Sequence, residues 1–239
     1  MTLPQDDSRH PRTVEASIAQ LIERARALAS SGRRRILGIT GTPGAGKSTV
    51  CEELVAALGD SAVLVGMDGF HLANAELERL GRRDRKGSPD TFDVDGYVAL
   101  LGRLRSQRDG VLYAPRFDRG LEESIGSAIP VSADVPLVVT EGNYLLNDEH
   151  GWRAVAANLD ETWFLDIDAD ERRLRLVTRR ASFGHAPDAA AAWVDHVDVP
   201  NALLVEAGRE RADLIIHVTD TPASSVDLDA TASSEGVRP

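Results

Sequence analysis

An α/β fold, with a parallel sheet covered by helices on both faces, is what this sequence predicts, on three observations. Five short runs rich in Val, Ile and Leu (residues 36–40, 62–67, 137–140, 162–167 and 214–218) are each bounded by turn or charged residues, as buried parallel strands are. Helical patterns lie between most of them, at residues 48–58, 94–105, 152–159, 171–180, 189–197 and 201–209. The first run also leads directly into a glycine-rich loop and then a helix.

Ahead of that first strand, Thr13 reads as an N-cap. Val14, Ile18, Leu21, Ile22, Ala25 and Leu28 then share one face of a helix ending near Ser31 and Gly32. The triplet Arg33-Arg34-Arg35 between helix and strand reads as solvated surface. One interval departs from simple alternation, because nearly seventy residues separate Asp68 from the strand at 137. Long intervals in compact domains usually serve function. Residues 69–135 are therefore expected to form an acceptor-binding insert, with a helix at 94–105 and a hairpin built from 111–117 and 127–131. Residues 13–220 are expected to form a single domain. Residues 1–12 and the Ser-, Ala- and Asp-rich segment 221–239 are expected to lack fixed structure.

Composition narrows the functional classes. The 239 residues carry a formal net charge of −11, which opposes sequence-independent nucleic-acid binding, since that needs a basic face. No apolar run approaches the roughly 20 residues of a membrane helix. The polar, acidic start is neither a secretory signal nor a transit peptide. The one cysteine, Cys51, has no internal disulfide partner and reads as a small core residue in a reducing, cytoplasmic setting.

Residues Gly41, Thr42, Pro43, Gly44, Ala45, Gly46, Lys47 and Ser48 match G-x-x-x-x-G-K-[ST] in full. In such a loop glycines permit left-handed backbone, so that main-chain N–H groups close around phosphate oxygens at a helix N-terminus. Lys47 is expected on the surface of this cradle, within reach of the β and γ phosphates of ATP. The Ser48 hydroxyl is expected on Mg²⁺, and Thr49 continues the phosphate-binding stretch. A Rossmann reading fails, because no G-x-G-x-x-G is centred on this turn.

In open α/β sheets ligands sit at the carboxyl ends of the strands. Asp68 and Glu141 stand there, each followed by glycine. Transfer of a phosphoryl group to a hydroxyl needs a carboxylate to orient the acceptor and take its proton, and an acid near the metal. Asp68 suits the first role. Glu141 suits the second, directly or through bound water, and also borders the acceptor. Either acid alone is as readily a turn or cap residue; beside a phosphate loop the pair favours function. The helix at 171–180 is Arg-rich, and Arg179 and Arg180 stand where a closing lid, about residues 171–198, would end.

These residues resemble a known superfamily. The phosphate loop, Met67-Asp68-Gly69-Phe70, the run Arg85-Lys86-Gly87-Ser88-Pro89-Asp90-Thr91-Phe92-Asp93 and Glu141-Gly142 are similar to those of uridine kinases, phosphoribulokinases and bacterial type I pantothenate kinases. Tyr113-Ala114-Pro115-Arg116-Phe117-Asp118-Arg119 and Val199-Pro200-Asn201-Ala202 resemble bacterial nucleoside/nucleotide kinase-like proteins, some labelled fructose-transport kinases. The likeness covers roughly residues 14–218. It implies a three-layer P-loop NTPase fold with a five-stranded parallel sheet in the order 2-3-1-4-5, and Mg²⁺ with ATP as phosphoryl donor. It also implies Asp68 as the acceptor-side base, lid arginines at Arg179 and Arg180, and a homodimer as an available assembly. A nucleoside, a sugar and a pantothenate-like alcohol all stay open as acceptor.

Within the insert His71, Lys86, Tyr113, Arg116 and Asp118 are candidate acceptor contacts, with a structural ion pair or a satisfied loop histidine as the alternative. His185, His196 and His217 have no metal-ligand spacing. Trp163 and Trp193 read as core, and Trp152 as a residue opening a helix. A regulatory nucleotide switch or a P-loop ATPase is the competing functional class. No Asn-Lys-x-Asp for guanine is present, and the long insert favours a kinase.

Overall fold

In the computed structural model, which describes residues 11–182, 184 and 186–220, strand β1 (Arg12–Ala16) precedes helix α1 (Ile18–Ala29). β2 (Arg35–Gly41) runs into α2 (Lys47–Leu58), and β3 (Ala62–Leu64) follows. The insert then carries α3 (Asn74–Arg79), α4 (Val94–Ser106) and an antiparallel hairpin of β4 (Val111–Asp118) and β5 (Glu123–Ser132). The chain returns to the sheet as β6 (Leu137–Glu141), passes α5 (Arg153–Ala156) and adds β7 (Glu161–Asp166). Helices α6 (Ala169–Ser182), α7 (Pro187–Trp193) and α8 (Val199–Glu206) lead to β8 (Leu214–Val218).

The main sheet is parallel throughout, in the order β1-β8-β7-β2-β6-β3. The five expected strands keep the expected order, and a sixth, β1, is added at the edge beside β8. This corrects the reading of Thr13 as an N-cap. Thr13 pairs with Ile215 in the sheet, and Ser17 caps α1 in a capping box with Gln20. The helical periodicity from Ile18 onward extends about one turn too far back, over Val14. What makes residues 12–16 a strand is a partner at the other end of the chain, and no local pattern reports that. The expected unstructured ends, 1–12 and 221–239, lie outside the described residues except for 11 and 12, and Arg12 already begins β1.

Alternation along the central strands explains the two cores. Ile36, Val138, Phe164 and Ile215 face one side, where Tyr97, Leu101, Tyr144 and Trp152 cover them. Leu37, Ile39, Val139, Trp163, Leu165 and Ile216 face the other, under α1 and α2 through Leu21, Ala25, Val50, Cys51 and Leu54. Trp152 is fully buried, and its indole N–H donates to the Pro89 carbonyl at 2.9 Å, tying the insert to the sheet. Trp163 is core as expected, but Trp193 is not: it is 41% exposed. The two expected helices around 189–209 form one nearly unbroken run, because a π-helical turn at Val194–Asp198 bridges α7 and α8. Among the described residues no helix is long and apolar enough to cross a membrane.

Since all six strands run one way, their carboxyl ends share one edge. Gly41, Glu141 and the turn after β3 meet there.

Candidate active site

The phosphate-binding motif spans the sharp turn from β2 to α2. Gly46 occupies the N-cap of α2 at φ 85°, a left-handed conformation that a side chain would strain. Lys47 departs from expectation. It is not on the surface of the cradle but only 8% exposed, and its Nζ donates to the carbonyls of Gly41 (2.9 Å) and Thr42 (3.1 Å). The ammonium therefore closes its own loop from within. Burial pulls its pKa down, while the charges of Glu141 and Asp68 oppose that shift.

A cavity of about 420 Å³ opens beside the first turn of α2. Its floor is Ser48, Thr49 and Glu52, with Leu64, Gly66, Asp68 and Glu141 at the strand ends. Pro115, Arg116, Phe117, Arg119 and Ile129 of the hairpin form the far wall, and Arg179 of α6 closes the rim. Asp68 sits in a 3₁₀ turn, Met67–Phe70, that receives the N–H of His71 on its own carbonyl at 3.1 Å. The glycines after the two acids make room for protein. A Cβ at Gly69 would stand 2.5 Å from the Pro115 carbonyl oxygen, and one at Gly142 would stand 2.6 Å from the Met67 side chain. The hairpin is thus pressed directly onto the turn that carries Asp68.

Glu141 ends β6 and faces the same space. Burial raises its pKa to about 7, Asp68 adds to the rise, and Lys47 and Arg119 work against it. The Asp68 carboxylate is met by the Arg119 guanidinium at 3.7 Å.

The cavity unites Ser48, Thr49, Asp68, Arg116, Glu141 and Arg179 of the expected set, with Lys47 beneath them. Others stand apart. His71 lies behind Asp68, its Nδ1 2.9 Å from the Asp68 carbonyl and its ring packed on Phe92 (4.0 Å) and Phe117 (4.8 Å), and burial lowers its pKa. Lys86 donates to Asn74 Oδ1 at 2.8 Å and lies 4.9 Å over the Phe117 ring, so it braces the cavity wall rather than lining it. Tyr113 is 57% exposed and outside the cavity. Asp118 caps the hairpin turn by accepting from the N–H groups of Gly120 and Leu121, each at 3.0 Å. Arg180 turns away to stack on Trp193 at 4.0 Å. His185 lies outside the described residues.

The sequence places Arg119 in the insert beside the other candidates without a specific contact, and it gives Phe117 and Glu52 no role; all three line the cavity. In an unbroken strand, consecutive residues point to opposite faces. Here the β4–β5 register shifts between Ala114 and Arg116, and the bulge turns Pro115, Arg116 and Phe117 together toward the cavity. The Pro115 in that run was the available signal, since proline inside a strand marks a bulge or an edge.

Of the oxygen-bearing side chains that line the cavity (Ser48, Thr49, Glu52, Asp68 and Glu141), the Ser48 hydroxyl and the Glu141 carboxylate are the two expected on the metal. Among the described residues no cluster of three His, Cys, Asp or Glu could hold a metal alone. This sparse oxygen set fits Mg²⁺, which takes one or two protein ligands and completes its shell with phosphate oxygens and water.

Comparison with known proteins gives a consistent picture. The family model described as "Phosphoribulokinase / Uridine kinase family" matches residues 36–225. A second, "Methylmalonyl Co-A mutase-associated GTPase MeaB", matches residues 2–67. The protein YggC of Escherichia coli, uncharacterized by its own name, is 33% identical over 193 residues, covering 79% of each chain. A protein named uridine kinase from Chlamydia pneumoniae is 26% identical over 185 residues, covering 76% of this chain and 81% of its own. Among solved structures, a protein provisionally assigned as a fructose transport system kinase from Silicibacter sp. TM1040 superposes with a TM-score of 0.75 at 36% identity. It covers 84% of this chain and 98% of its own. YFH7 of Saccharomyces cerevisiae shares the fold, with a TM-score of 0.73 at 17% identity over 86% of this chain and all of its own.

Proposed function

The chain belongs to the phosphoribulokinase and uridine kinase family, and from that premise we propose that it transfers the γ-phosphoryl group of ATP, with Mg²⁺, to a hydroxyl of a small metabolite. The observation that carries this reading is the shared cavity. The first turn after the phosphate loop, through Ser48 and Thr49, and the Asp68 carboxylate border the same space. A donor phosphate and an acceptor hydroxyl can meet there without either leaving its site.

The main-chain N–H groups of residues 41–48 bind the phosphates, with the α2 N-terminus behind them. Lys47 swings or reorients its Nζ from the loop carbonyls toward the β and γ oxygens. Ser48 and Glu141 are the residues that would hold Mg²⁺, which would supply positive charge against the phosphate oxygens. Asp68 accepts a hydrogen bond from the acceptor hydroxyl and aims its oxygen at phosphorus. As the new O–P bond forms and the bond to ADP breaks, the hydroxyl proton passes to Asp68. Arg179, on the rim, stabilises charge on the moving group, and a closing α6 would exclude water. The match to the MeaB GTPase model stops at Met67, one residue before Asp68, so it covers the nucleotide side alone.

The test is acceptor-dependent ADP release over a panel of hydroxylated metabolites, with wild type and Asp68→Asn. Expected is turnover that requires both an acceptor and Asp68, with ATP affinity retained in the variant. Release of ADP at one slow rate whatever acceptor is present would instead describe a nucleotide switch.

A further inference from the structure

We propose that the cavity contains a second anion-binding site, built on Arg116 and Arg119, which selects an acceptor bearing a phosphate or carboxylate besides the hydroxyl it offers. This deepens the kinase reading above and rests on it.

Arg116 reaches the cavity because of the bulge at Ala114–Arg116, and its position is fixed rather than incidental. A Cβ on Gly69 would lie 2.5 Å from the Pro115 carbonyl oxygen and 3.2 Å from the Arg116 nitrogen, so this stretch of β4 is held against the residue that follows Asp68. Among the described residues the Arg116 guanidinium has no hydrogen bond or ion pair. Arg119 stands at 3.7 Å from Asp68, beyond hydrogen-bond distance, so its N–H groups remain available to another acceptor atom. Two guanidinium forks on one strand end present the planar, multiply donating surface that suits a carboxylate or phosphate.

The cations of the site divide by origin. Lys47 and Arg179 come from the phosphate loop and α6, on the donor side. Arg116 and Arg119 come from the hairpin, beside the acceptor carboxylate. Three arginines on the cavity wall and rim, Arg116, Arg119 and Arg179, face three carboxylates on its floor and strand ends, Glu52, Asp68 and Glu141, so the hairpin wall is the side prepared for negative charge. A neutral nucleoside finds less here. Phe117 is the only aromatic side chain among the lining residues, and its ring is already packed by His71 and Lys86.

The experiment separates this inference from the kinase reading. Wild type, Arg116→Gln and Arg119→Gln are each saturated with Mg²⁺ and AMP-PNP, which fills the phosphate loop, and inorganic phosphate is then titrated by calorimetry. Failure of AMP-PNP to bind wild type would sink the kinase reading itself. Given AMP-PNP binding, the expected result is one further phosphate bound by wild type and at least tenfold weaker binding in both variants. No phosphate bound by the saturated complex, or wild-type affinity kept in either variant, would overturn the second site. In coupled assays, ribose 5-phosphate or glycerate should turn over in preference to ribose, glycerol and uridine. Arg116→Gln should raise KM for the anionic acceptor at least tenfold while moving kcat less than threefold. Faster turnover of uridine or of a neutral polyol than of any anionic acceptor would also overturn it.

Discussion

The Arg119 guanidinium stands 3.7 Å from the Asp68 carboxylate and joins the hairpin of the insert to the turn that ends β3. Both groups are partly solvated, Arg119 at 54% and Asp68 at 35% exposure, so the pair contributes less than about 1 kcal/mol to stability. Its value is positional: it restrains the carboxylate expected to orient the acceptor. Arg119→Ala should therefore leave the melting temperature within a degree or two, while kcat/KM for the acceptor falls about tenfold or more. Steady-state kinetics beside a thermal melt measures both. A large drop in melting temperature would recast the pair as a structural bridge.

Lys47 has a second role that its burial exposes. Its Nζ bonds the Gly41 and Thr42 carbonyls, so Lys47→Ala removes a charged donor from two main-chain acceptors as well as the donor proposed for the nucleotide. Phosphoryl transfer should fall by roughly a hundredfold or more. Folding stability should drop by about 1–3 kcal/mol in chemical denaturation without nucleotide. An unchanged denaturation midpoint would mean that the loop holds its shape unaided.

Glu141 couples stability to pH. Burial and Asp68 raise its pKa from 4.5 to about 7 in the folded protein, so folding favours the protonated form. The stabilisation is fully present below pH 4.5 and is lost as pH rises through about 7. Glu141→Gln, neutral at every pH, should match wild type near pH 4.5 without nucleotide and exceed it above pH 7.5, by on the order of 2 kcal/mol. The same variant should lose Mg²⁺-dependent turnover. Melting curves at the two pH values decide the point; a constant difference would show that the carboxylate is already ionised.

Gly69 tests the docking of the hairpin. The Cβ of Gly69→Ala would fall 2.5 Å from the Pro115 carbonyl oxygen, so β4 must move away from the Asp68 turn. Acceptor-dependent turnover should fall by roughly tenfold or more, with the dissociation constant for ATP unchanged within about twofold. Equal turnover in the two proteins would mean that the hairpin position does not set the acceptor geometry.

Much of the fold was legible because its signals are local. The five central strands announce themselves as short apolar runs, since both faces of each are covered. The turn that carries the P-loop motif is legible because it is made of consecutive residues, shaped by glycines whose positions the sequence states outright. Asp68 and Glu141 stood out because a strand end is a local feature and a parallel sheet gathers its strand ends on one edge.

β1 was illegible because five residues with little periodicity become a strand only when β8 lies alongside them. Lys47 was misjudged because its burial depends on the direction of its own side chain relative to the loop carbonyls. Arg119 had no visible partner, and Tyr113 and Asp118 looked as eligible as Arg116, until the bulge at Pro115 decided which of them face the cavity. The sequence by itself determined the class of fold and the P-loop that marks its family, because backbone conformation and burial pattern are set by near neighbours. Only the tertiary structure decided which side chains share the cavity beside α2, because that depends on how the hairpin packs against a turn far from it in the chain.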